Sequence, residues 1–143
     1  MAQVLVVANQ TAESDELLAT MRERAEQGDY EFTVLIPATP HGVAWAANMA
    51  SDRGRDEAER HRDALVERLR AVGLPVKEAV IGDPDPLAAI TDACSRDSYD
   101  ELIVSTLPHH LSKWLHLDLQ RKAAHATGLP VTSVECKAAE KAR

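Results

Sequence analysis

Aromatic side chains are nearly missing from this chain: one Phe, two Tyr and two Trp among 143 residues, or 3%. Any core must therefore be aliphatic, and a hydrophobic share of 45% is enough for one. Cysteine is as scarce. Cys94 and Cys136 stand alone and far apart, which excludes a disulfide framework or a Cys-based metal site and fits a reducing cytoplasm. No apolar run approaches the roughly 20 residues needed to cross a bilayer. The opening Met1–Val7 lacks the basic region and the apolar length of a secretion signal. A basic excess is missing too. With 23 acids against 16 Lys and Arg, the net charge of -7 argues against nucleic acid or an anionic membrane as partner. Repeats and low-complexity stretches are absent, and 143 residues suit one domain, expected over 1–136 with a polar tail at 137–143.

What is present reads as alternating strands and helices. Val4–Ala8 is a short, continuous apolar run, the mark of a strand buried on both faces. Ser14 is placed to cap a helix whose first residues, Asp15 and Glu16, suit the positive end of its dipole. Leu17, Leu18, Met21 and Ala25 form its apolar stripe, and Gly28 stops it. Glu31–Pro37 is the second strand. A long connection over 38–51 carries Val43, Trp45 and Met49, and its bland role is to cover the sheet end. A charged helix from Asp52 to Val72 buries Leu65, Leu69 and Val72, and Val76–Ile81 is strand three. Gly82-Asp83-Pro84-Asp85-Pro86 turns into a helix with Asp85 as N-cap and Pro86 at its first position, burying Leu87, Ile90 and Cys94. Glu101–Ser105 is strand four, a last helix ends at Thr127 before Gly128, and Val131–Val134 is strand five. Such alternation predicts an α/β fold: an open, doubly wound, five-stranded parallel sheet with helices on both faces.

In such a sheet ligands sit beyond the carboxyl ends of the strands, where the winding reverses. For the order 3-2-1-4-5 that point lies between strands one and four. The candidate cleft is therefore Asn9, Thr11, Ala38, Ser105, Thr106, Pro108, His109, His110, Lys113 and Asp118.

Three features make the chain resemble a universal stress protein. They are Val-Leu-Val-Val-Ala-Asn-Gln-Thr at 4–11, Gly82-Asp83-Pro84, and Asp100–Thr106 followed by Gly128-Leu129-Pro130-Val131. The resemblance covers essentially the whole chain and implies the adenine nucleotide alpha hydrolase-like fold. Members of that family that bind ATP carry a Gly-x-x-Gly loop after strand four and Gly-Ser or Gly-Thr opening the last helix. There, bare backbone amides and a helix N-terminus meet the phosphates. Carried over, those glycines fall on Ser105, Pro108 and Asp118, and the hydroxyl residue falls on Leu119. Pro108 has no amide hydrogen. Asp118 is expected to cap the helix and to put a carboxylate where a phosphate would sit; two unit charges about 4 Å apart repel by about 4 kcal/mol at an effective dielectric near 20. Asn9 replaces the family's usual Asp. The resemblance thus implies a member with a degenerate site and no cofactor, ATP being disfavoured.

Other readings are weaker. Four of the six histidines lie at 109, 110, 116 and 125, close to Lys113, Arg121 and Lys122. They suit solvated surface histidines, or an anion site with His109, His110 and Lys113 standing in for the glycine loop. Their spacing is wrong for a metal. Ser105 and Thr106 lack the tight turn of a nucleophilic serine, so no catalytic residue is expected and the chain is not read as an enzyme. A phosphorylation receiver fails on Asn9-Gln10 and Gly82, where it needs acids. The resemblance further implies a homodimer through strand five, with Val131, Thr132 and Val134 on the pairing edge. The expected function is binding of a protein partner or a small ligand.

Overall fold

The computed structural model describes residues 2–8, 11–12, 14–38, 50–107 and 118–136, with the backbone alone at 50–55. In chain order the elements are β1 (Ala2–Val7), α1 (Asp15–Gln27), β2 (Tyr30–Pro37), α2 (Ala50–Ala71), β3 (Val76–Gly82), α3 (Pro86–Arg96), β4 (Glu101–Thr106), α4 (Leu119–Thr127) and β5 (Val131–Glu135). The strands form one five-stranded sheet of order β3-β2-β1-β4-β5. Every neighbouring pair is parallel. This is the predicted architecture, reversal between β1 and β4 included.

Strand β1 is the centre of the molecule. Val4, Leu5, Val6 and Val7 are all 0% exposed, because each face of the sheet is covered by helices. Alternation along the strand splits the core in two. Val4 and Val6 join Leu17 and Met21 of α1 and Ala58, Leu65 and Leu69 of α2 on one face. Leu5 and Val7 join Ala89, Ile90 and Ala93 of α3 and Leu119 and Ala123 of α4 on the other. The largest side chain in the first layer is Phe32, completely buried; most of both layers is aliphatic, with Tyr30 and Tyr99 packed at their margins.

The helix ends follow the local chemistry. The Ser14 hydroxyl accepts the Leu17 amide at 3.1 Å, and Asp85 accepts the Leu87 amide at 3.2 Å with Pro86 next in line. Helix α4 closes on Gly128, whose φ of 73° is the left-handed conformation that glycine adopts without strain. Two burial expectations need correction. Val72 is 41% exposed because α2 ends at Ala71, and Leu87 and Cys94 are only half-buried because Ala89 and Ala93 face the sheet instead. The connection carrying Val43, Trp45 and Met49, Trp114 and the 137–143 tail lie outside the described residues.

The Gly82-Asp83-Pro84 motif has a packing explanation. A Cβ at Gly82 would lie 2.8 Å from the Ala89 Cβ and 2.8 Å from Leu35 Cδ1. Only glycine lets the first turn of α3 close onto the ends of β2 and β3. Replacing Gly82 with Ala is predicted to destabilise the fold by about 1–3 kcal/mol through overpacking. Urea titration should show a lower midpoint with an unchanged slope.

Candidate functional site

The crevice between β1 and β4 is floored by hydroxyls and one thiol. Ser105 lies on β4 two residues after Ile103, on the face covered by α1 and α2. Its hydroxyl sits 2.6 Å from Thr11 Oγ1, in the segment after β1, and 3.2 Å from the Sγ of Cys136, just past β5. Cys136 in turn accepts a hydrogen bond from Ser14 Oγ at 3.0 Å and reaches the Val134 carbonyl at 3.7 Å. Thr11, Ser105 and Cys136 are 5%, 1% and 1% exposed. A continuous chain of polar groups thus links the ends of β1, β4 and β5 to the cap of α1, and its members bond to one another. Buried polar groups demand partners, and here the protein supplies them internally.

Thr106 is different. It follows Val104 onto the opposite face, and its buried Oγ1 has no hydrogen-bond partner among the described residues.

Asp118 occupies the N-cap position of α4, but its backbone is left-handed, at φ 59° and ψ 41°, the one positive φ outside glycine among the described residues. The expectation that its side chain caps the helix is therefore corrected. Side-chain capping needs an extended N-cap, as at Ser14 and Asp85. Here the carboxylate turns to Arg121, accepting from Nε at 2.6 Å. The first turn of α4 is left with no side-chain cap and no acidic residue, and Arg121 and Lys122 stand near its positive end. Asp118 thus holds a conformation suited to glycine, at the position where the family resemblance puts one.

Ala38, expected in the same cleft, lies one strand away. Its amide donates to the Gly82 carbonyl at 3.0 Å. It helps line a separate open cavity of about 670 Å³ with Leu35, Gly82, Pro84 and Ala89, rimmed by Asp92 and Arg96. The structure therefore brings together Thr11, Ser105 and, from the other face of β4, Thr106 at the reversal. Asn9, Pro108, His109, His110 and Lys113 lie outside the described residues. Sequence reasoning missed Cys136 and Ser14 as members of the crevice. A Cys placed directly after a parallel strand, with Ser105 one strand over, was the available signal. Among the described residues no three His, Cys, Asp or Glu side chains are grouped to hold a metal ion. Nor is any described helix long and apolar enough to cross a membrane.

No family model matches the sequence, and no curated protein is similar to it in sequence. The fold does have counterparts. A universal stress protein family protein from Arabidopsis thaliana with AMP bound superposes with a TM-score of 0.66 at 15% identity, covering 99% of this chain and 96% of that one. The chain has the universal stress protein fold. A universal stress protein from Archaeoglobus fulgidus gives a TM-score of 0.63 at 15% identity over 94% of each chain. Another, in complex with cAMP, gives 0.59 at 20% identity, over 94% of this chain and 97% of that one. Within this universal-stress-like architecture the reversal of winding between β1 and β4 is the crevice just described.

The left-handed backbone of Asp118 makes a prediction. A Cβ in that conformation costs about 1–2 kcal/mol. The Asp118–Arg121 pair returns little, since its side chains are 46% and 81% exposed. Asp118→Gly should therefore leave stability unchanged or raise it by up to about 1 kcal/mol. Thermal and urea unfolding of the variant against the parent measure this directly.

Proposed function

We propose that the protein is a divergent member of the universal stress protein family that has lost ATP binding in the family manner. It acts, without catalysis, by binding a protein partner or a small ligand in the cytoplasm. The observation that carries this reading is the crevice floor. Thr11 and Ser105 bond to each other at 2.6 Å and Ser105 bonds on to Cys136, so these three side chains are turned to one another. Related folds have been solved with AMP and with cAMP, which makes a nucleotide the ligand to test first. Among the described residues Ser105 bonds to a hydroxyl and a thiol, which supports a binding role over hydrolysis.

The test is calorimetric titration of protein freed of anything carried through purification, with ATP and AMP, with and without magnesium. No heat up to millimolar nucleotide is the expected result. Micromolar binding would overturn the degenerate-site reading.

A second reading, a nucleotide- or anion-binding module that uses His109, His110 and Lys113 in place of the glycine loop, is favoured by two observations. The first turn of α4 has no side-chain cap and no acid, and Thr106 Oγ1 is buried without a partner among the described residues. It predicts binding that weakens in His110→Ala and at high salt.

The protein is further proposed to form a homodimer through β5, an edge strand of the sheet bearing Val131, Thr132 and Val134. Val131 and Thr132 are half-buried and Val134 is buried, and the β-branched side chains suit pairing. The Leu102–Pro130 and Cys136–Thr106 bonds put the even-numbered amides of β5 on β4, so Ser133→Pro removes an amide of the free edge and should yield monomers by light scattering; an unchanged dimer mass would rule out this edge.

A further inference from the structure

Helix α1 is attached to the sheet in an unusual manner. Within the helix only Leu17 and Met21 are fully buried, whereas α3 buries Pro86, Ala89, Ile90 and Ala93. Leu18 and Ala25 pack on the same layer, and polar contacts hold the two ends. At the carboxyl end of the sheet, Ser14 Oγ donates to Cys136 Sγ at 3.0 Å. Ten residues on, about 15 Å along the helix axis, Arg24 clasps the amino end of the sheet. Its Nε and Nη2 donate to Glu101 Oε2 at 3.0 and 2.7 Å, and Nη2 also reaches Thr132 Oγ1 at 2.9 Å. Thr132 in turn donates to Glu101 Oε2 at 3.1 Å. The Arg24 and Glu101 side chains are only 19% and 16% exposed. This is a forked, largely desolvated pair, unlike the exposed Arg68–Asp15 bridge at the start of α1, where Asp15 is 92% exposed.

Both end attachments address the same part of the molecule. Glu101 opens β4; Thr132 lies near the start of β5 and Cys136 directly follows it. The helix is pinned at its two ends across the β4–β5 pair, with Leu17 and Met21 buried between the pins. Release of such an element exposes Leu17, Met21 and the face of β1 they cover, and leaves the α3 and α4 layer on the other face in place.

We propose that α1 is a strap whose Arg24–Glu101–Thr132 clasp at one end of the sheet controls access to Cys136 and the crevice floor at the other. With the strap closed Cys136 is a silent thiol, 1% exposed and bonded to Ser14 and Ser105. With the clasp released the Ser14 cap lifts, and Cys136, Ser105 and Thr11 become accessible. This inference is independent of what the crevice binds.

The test uses the full chain with the half-buried Cys94 replaced by Ser, so that Cys136 is the single thiol. The rate of alkylation of Cys136 by iodoacetamide is followed under native conditions as urea is raised. The strap predicts a shallow urea dependence at low urea, the sign of local opening, before the steep rise that accompanies global unfolding. Arg24→Met should speed labelling at least tenfold in the shallow regime, beyond its effect on the global unfolding equilibrium. Thr132→Val, a milder cut that preserves shape, should speed it about threefold, and decides the matter if Arg24→Met does not fold. Asp15→Asn, which cuts the exposed bridge and leaves Glu16 at the positive end of the helix, should change the rate less than twofold. A steep dependence at every urea concentration would overturn the proposal. So would acceleration in Arg24→Met and Thr132→Val no larger than the loss of global stability.

Discussion

The hydrogen bond between Thr11 and Ser105, 2.6 Å long and buried, is the contact on which the functional character of this molecule turns. It lies where the winding of the sheet reverses, the one position in such a fold where the carboxyl ends of two adjacent strands diverge and leave room for a ligand. Here the protein has spent its own hydroxyls across that opening and extended the chain through Cys136 to the cap of α1. The arrangement is possible because β1 is dry along Val4–Val7, so the first polar side chain described after it is delivered at the crevice and nowhere else.

The fold was legible in the sequence for plain reasons. A strand buried on both faces must be a continuous apolar run, and Val4–Ala8 is one; a helix needs a start and a stop, and Ser14, Asp85 and Gly128 provide them where the structure has them. With caps and strands in alternation, right-handed crossovers leave few arrangements open. Strand ends were read a residue or two short, as at Thr106 and Glu135, since polar side chains there resemble loop in any periodicity argument.

The site was legible only in part. Topology pointed to Thr11 and Ser105, but not to the bond between them, which depends on strand register. Asp118 was read as a cap because Asp before a helix ordinarily caps. Its backbone dihedral, which a single sequence does not reveal, sends the carboxylate to Arg121 instead. Cys136 and Arg24 escaped notice because each gains its meaning from residues far away in the chain: Ser14 and Ser105 for the thiol, Glu101 and Thr132 for the guanidinium. The pairing with Glu101 also raises the Arg24 pKa above its ordinary value, so that charge is fixed at any accessible pH.

These features give a universal-stress-like scaffold in which Thr11 and Ser105 bond across the reversal of winding and the first helix bonds to both ends of the β4–β5 pair. The most direct measurement of the central claim is a two-dimensional amide NMR titration with magnesium-ATP. The account predicts no saturable shift at Thr11, Ser105, Thr106 or the first turn of α4 while the rest of the spectrum stays dispersed. Saturable shifts confined to those amides would mean that nucleotide displaces the Thr11–Ser105 bond, and would contradict the degenerate-site reading.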